Sequence, residues 1–117
     1  MPSFRELLKA AKAEIREVDT AAAEEARRSG ALLIDVREPE EHEQGAIPGD
    51  LHIVRGNLES NVESRVPDKA TPIVIYCASG VRSVFAAKTL TELGYEDVAS
   101  MAGGFNKWKD ETDAELP

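Results

Sequence analysis

Cysteine occurs once, histidine twice, and aromatic residues make up only 5% of the chain. A lone cysteine excludes an internal disulfide, and two histidines without ligand-like spacing offer little from which to build a metal centre, so none is expected. Basic residues are also scarce: 14 against 22 acidic ones give a formal net charge of -8. A field of that sign repels nucleic acid and anionic membrane, and neither is an expected partner. Residues Met1 to Glu17 alternate charged and apolar side chains, without the apolar run of a signal peptide or a membrane span. The expected location is the cytoplasm, where a single thiol stays reduced.

What the chain does contain suits one α/β domain: 117 residues with 42% hydrophobic content. A domain of that size buries roughly two-thirds of its unfolded surface and folds without disulfide or metal staples. Phe4, Leu7, Leu8 and Ala11 recur at helical spacing over Ser3 to Ala13, with Ser3 placed as the cap. This helix reads as an extension over residues 1–13, ahead of a domain over 14–110 and an acidic tail over 111–117 that frays from Asp110. Glu14 to Val18 either prolongs the helix or forms a short strand, and the strand is preferred.

Asp19 or Thr20 caps a helix through Arg28, and Gly30 ends it. Ala31 to Val36 is a nearly continuous apolar run, as in a strand covered on both faces. Pro39 opens a short helix through Gln44; Leu51, Ile53 and Val54 suggest a strand, and Asn57 to Arg65 another helix. The β-branched residues of Pro72 to Tyr76 predict the central strand. An amphipathic helix over Ser83 to Leu93, a strand over Asp97 to Met101 and a closing helix carrying Phe105 and Trp108 complete the pattern. The alternation predicts a parallel central sheet with helices on both faces. Sites in such folds lie beyond the C-terminal ends of the strands, which points at Cys77.

Taken alone, a cysteine is more often an inert small hydrophobe than a nucleophile. The neighbourhood of Cys77 argues otherwise. Cys77-Ala78-Ser79-Gly80-Val81-Arg82-Ser83 joins a buried strand to a helix. Its backbone N–H groups can converge on an anion, with Gly80 relieving the turn and Arg82 adding a guanidinium. The helix dipole and the cation both favour thiolate over thiol. At an ordinary pKa near 8.5 about 3% of a thiol is ionised at pH 7, whereas a pKa of roughly 6 would ionise about 90%.

These residues, with others, resemble the rhodanese-like family. Leu33-Ile34-Asp35-Val36-Arg37-Glu38 is similar to its first signature, and Gly45-Ala46-Ile47-Pro48-Gly49 to its proline-glycine segment. Tyr76 to Ser83 matches its active loop, and Gly103-Gly104-Phe105 with Trp108 its C-terminal motif. Ala46 and Asp50 depart from the pattern, standing where a histidine and an apolar residue are common. The resemblance implies a sulfurtransferase in which Cys77 takes sulfane sulfur from thiosulfate or a similar donor and passes it to a thiophilic acceptor, which could be a protein thiol. No cofactor is implied. Arg82 and the amides of Ala78, Ser79, Gly80, Val81 and Ser83 would hold the donor.

Arg55, in a stretch resembling a bacterial branch of the family, is either a further anion ligand or a solvent-facing arginine. Asp35 and Arg37 read as structural groups, and the acidic run Glu38 to Glu43, with His42, as a solvated face. Two alternatives stand beside the transferase. One is a phosphatase or arsenate reductase of related fold, disfavoured because only four residues separate Cys77 from Arg82, one fewer than in those relatives. The other is a persulfide carrier or binding module for a protein partner.

Overall fold

Four consecutive buried residues, Ile73–Tyr76, form the central strand β4, the environment that a β-branched run without charge favours. The computed structural model describes residues 3–113. In chain order its elements are α1 (Phe4–Glu14), β1 (Arg16–Val18), α2 (Thr20–Arg28), β2 (Leu32–Asp35), α3 (Pro39–Glu43) and β3 (Leu51–His52). A short 3-10 turn (Arg55–Asn57) leads to α4 (Leu58–Arg65), then β4, α5 (Arg82–Glu92), β5 (Val98–Met101) and α6 (Gly104–Asp113). The strands form one sheet in the order β1-β5-β4-β2-β3. Every pairing is parallel. All strands therefore deliver their C-terminal ends to one edge.

Side-chain alternation divides the core into two layers. Ile73, Ile75 and then Cys77 face α4 and α5, packing with Val62, Ala86, Ala87 and Leu90. Val74 and Tyr76 face the other way, toward Ala23 of α2 and Phe105 of α6. Complete burial of a residue such as Ile75 or Leu90 contributes about 1.5–3 kcal/mol. The period of two decides the direction of the cysteine: as an odd-numbered continuation of Ile73 and Ile75, its side chain meets the start of α5.

Three expectations change. The closing helix does not fray from Asp110 but continues to Asp113; the rest of the tail lies outside the described residues. Phe105 stacks between Tyr76 and Trp108, and Trp108 Nε1 donates to Glu24 of α2 at 2.6 Å, so aromatic packing pins this helix where charge alone would loosen it. In α1, Ser3 caps the first turn through the Glu6 N–H and Ala11 is buried, but Phe4 and Leu7 remain exposed. The helix rests edge-on against α5, with Phe4 tilted over Phe85. The segment Glu38 to Glu43 is likewise not simply solvated, because Glu41 and His42 turn inward to partners described below.

Candidate active site

Cys77 follows β4 at the sheet's C-terminal edge and is 1% exposed. Its Sγ accepts the backbone N–H of Gly80 at 3.2 Å and that of Ser83 at 3.4 Å. Ser83 is the second residue of α5, and no side chain caps that helix at Val81. The sulfur thus takes the place of a capping oxygen, where the unpaired amides and the positive end of the dipole favour an anion. Gly80 has φ +96°, and a Cβ there would lie 3.0 Å from Gly103 N and 3.2 Å from Met101 O. Glycine is needed for both the turn and the close approach.

α6 clamps the loop from outside. The Phe105 N–H donates to Cys77 O at 2.8 Å and the Asn106 N–H to Ala78 O at 3.0 Å. Beneath the sulfur, Ser83 Oγ lies 3.5 Å from Sγ and 2.8 Å from Ser100 Oγ, both serines being completely buried. If the Ser83 hydroxyl donates to a thiolate, its oxygen is left to accept from Ser100. Sequence reasoning overlooked Ser100; a serine inside the otherwise apolar strand β5 was the available signal.

Burial pushes the Cys77 thiol up, but the Ser83 hydroxyl and the amides of Ser83, Gly80 and Ser79 together outweigh it, and the net displacement is downward. The thiolate therefore persists below the usual thiol range and is lost as pH falls through the lowered value. Ser83→Ala removes the first of these donors. Its alkylation profile with iodoacetamide should move to higher pH, and its rate at pH 7 should fall about fivefold, the worth of one net hydrogen bond. Ser100→Ala should move the profile the same way by less. An unchanged profile in Ser83→Ala would remove the hydroxyl from thiolate stabilisation.

Arg82 starts α5 beside the loop, yet its guanidinium turns outward to α3, making paired hydrogen bonds to Glu41 at 2.8 and 3.0 Å. The Arg55 guanidinium binds Glu59 at 2.8 Å and Thr89 at 3.3 Å. Thr89 lies two helical turns beyond Arg82, and none of the hydrogen bonds of Arg55 reaches the active loop. Of the two readings of Arg55, anion ligand or solvent-facing arginine, these partners are the ones an arginine on the outer side of α5 makes, with Glu59 one helical turn away.

Asp35 is fully buried at the end of β2 and accepts from Arg37 Nε at 3.0 Å, Nη2 at 2.9 Å and backbone N at 2.9 Å. Burial pushes its carboxyl up, but the hydrogen bonds from Arg37 and His42 hold it below the usual range. Arg37 also donates to Gly45 O at 2.7 Å and lies 4.3 Å from the Phe105 ring centre. Asp50, partly buried beside this network, accepts from Tyr76 Oη, whose oxygen in turn accepts the Ile47 N–H. Its departure from the family pattern thus serves a buried tyrosine.

The fold also brings Asp35, His42 and His52 within 4.8 Å of one another, although their spacing in sequence had suggested no such group. His42 Nδ1 bonds Asp35 at 2.8 Å, His52 Nε2 bonds Arg37 O at 2.8 Å, and the two rings stack at 4.2 Å. Both Asp35 oxygens are already engaged by the Arg37 guanidinium, and one of them by His42 as well. The atoms that face one another in this donor set are thus already hydrogen-bonded within the protein.

A cavity of about 210 Å³ opens beside Ala78, between Arg37, Glu41, Gln44, Phe105, Asn106 and Lys109. Among the described residues no helix is long and apolar enough to cross a membrane.

The likeness to known proteins covers the same elements. Residues 18–111 match the family model of the rhodanese-like domain. "Putative sulfurtransferase YtwF" of Bacillus subtilis (strain 168) is 40% identical over 101 residues, 85% of this chain and 95% of that protein. The thiosulfate sulfurtransferase GlpE of Pseudomonas syringae is 33% identical over 96 residues, 82% of this chain and 89% of its own. A solved structure from Rhodopseudomonas palustris, of a protein of unknown function described as a possible tyrosine phosphatase, superposes with a TM-score of 0.82. It has 34% identity, and 96% of each chain is covered. With the parallel sheet, the loop from Cys77 and nearly the whole chain matched, the protein belongs to the rhodanese-like domain family, with sulfurtransferases among its relatives.

Proposed function

We propose that the chain transfers sulfane sulfur through a persulfide on Cys77. The carrying observation is the sulfur's position at the start of α5, where two backbone amides and the Ser83 hydroxyl converge on it. Cys77 thiolate attacks the outer sulfur of thiosulfate or another sulfane donor; the donor's S–S bond breaks and sulfite, or the corresponding thiolate, leaves with the bonding pair. The amides of the loop from Ala78 to Ser83 stabilise the resulting persulfide anion. A thiophilic acceptor, a small molecule or a protein thiol, then takes the outer sulfur and restores the thiolate.

Sulfur transfer is favoured over phosphate-ester cleavage by the placement of Arg82. A phosphoryl group seated over Cys77 needs a guanidinium beside it, and this one is engaged by Glu41. The four-residue spacing to Arg82 also leaves a narrower cradle than in phosphatase relatives. Intact-mass measurement should show one added sulfur atom after thiosulfate and its loss after cyanide, while aryl phosphates are hydrolysed only negligibly. Phosphatase activity without sulfur loading would overturn the transferase in favour of the other reaction.

A further inference from the structure

We propose that Glu41 is a specificity-determining residue: by occupying Arg82 it turns the site away from small dianionic donors and toward organic persulfides, whose carrier group enters the neighbouring cavity. This rests on the sulfurtransferase reading above and names the donor class for the same site.

Four observations carry it. Arg82 is held through both of its terminal nitrogens, at 2.8 and 3.0 Å, so its geometry for a sulfonate is already spent on a carboxylate. Glu41 cannot swing away freely, because its Oε1 also accepts the Glu38 N–H at 2.9 Å in the capping box of α3. Arg82 keeps the Glu41 carboxyl down at about 2, so the pair stays charged throughout the working range of pH. Lastly, the arginine that lines the cavity is matched as well, Arg37 by Asp35, which leaves Lys109 as the cavity's other cation.

A dianion approaching Cys77 could therefore enlist Arg82 only by displacing Glu41, against a chain of net charge -8. A persulfide makes no such demand. Cys77 thiolate attacks the outer sulfur of R–S–S–H, the S–S bond breaks, R–S⁻ leaves, and the outer sulfur stays on Cys77 with its proton. No oxidant or reductant is consumed. The cavity beside Ala78, about 210 Å³, offers the R group polar and aromatic walls from Gln44, Phe105 and Asn106 and charged ones from Arg37, Glu41 and Lys109.

The test compares thiosulfate with 2-hydroxyethyl persulfide, which carries at most one negative charge, in wild type, Glu41→Gln, Arg82→Ala and the double variant. Glutamine retains an oxygen for the Glu38 N–H while releasing Arg82. In Glu41→Gln, kcat/KM for thiosulfate should rise about two- to fivefold, the scale of a partly exposed ion pair, and that for the persulfide should change by a smaller factor, so that the ratio of the two donors shifts toward thiosulfate. The gain should disappear when Arg82→Ala is added. An unchanged ratio of the two donors in Glu41→Gln, or an equal fall for both, would make Glu41 a structural clamp and overturn the proposal. Should wild-type Cys77 acquire no sulfur from either donor by intact mass, the transferase reading itself fails, a result distinct from an unchanged ratio.

Discussion

Cys77→Ser should lose sulfur loading by at least about three orders of magnitude, the scale seen when a nucleophile is removed from other covalent enzymes, while keeping its fold. The hydroxyl is too weak an acid to ionise at neutral pH, and the amides that lower a thiol cannot close that gap. Structurally the exchange is mild. The serine oxygen can still accept the Gly80 and Ser83 N–H groups, so neither buried donor is orphaned, and stability should change by no more than about 1 kcal/mol. Intact mass after thiosulfate, read beside urea unfolding, separates the two effects. Sulfur loading near the wild-type rate would assign the chemistry to another group.

Gly104→Ala should produce the opposite pairing, a damaged fold with the nucleophile still present. Gly104 has φ +57°, in the left-handed region, and a Cβ there would press on the Cys77 carbonyl oxygen and stand 2.7 Å from both the carbon and the oxygen of the Ala78 carbonyl. Those are backbone atoms of the active loop and cannot move aside like the end of a long side chain. The left-handed term costs about 1–2 kcal/mol and forced overpacking about 1–3 kcal/mol, so a loss near 3 kcal/mol is expected, with sulfur transfer impaired by displacement of Cys77. Gly30→Ala is the control, because Gly30 has φ +104° with nothing within 4 Å of its added Cβ. It should lose only the backbone term and transfer sulfur normally. Equal losses in both variants would show that packing against the loop contributes nothing.

The elements that were readable in advance are those whose cause is local. The β-branched run ending at Tyr76, the cap at Ser3 and the stop at Gly94 follow from propensity and periodicity within a few residues. The active loop was readable for the same reason, since its glycine, its cation and its place between strand and helix are contiguous in the chain. The partners of the Arg82 and Ser83 side chains were not. Glu41 lies 41 residues from Arg82, and Ser100 is 17 residues from Ser83. Neither separation leaves a periodic trace, so Glu41 read as one more charge on a solvated face.

By itself, then, the sequence determined the class of fold and the edge of the sheet at which Cys77, the proposed nucleophile, stands, because hydrophobic period and turn chemistry act at short range. Tertiary structure alone decided where each charge is spent. Parallel pairing sets β2 beside β4 and β4 beside β5, which brings α3 next to the start of α5 and places a strand serine under the sulfur. Hydrogen-bond energies, and with them the paired hold of a carboxylate on a guanidinium, fall off within a few ångströms. A guanidinium placed to receive an anion is thus available or occupied according to which carboxylate the fold sets beside it, a distance that one dimension of sequence does not contain.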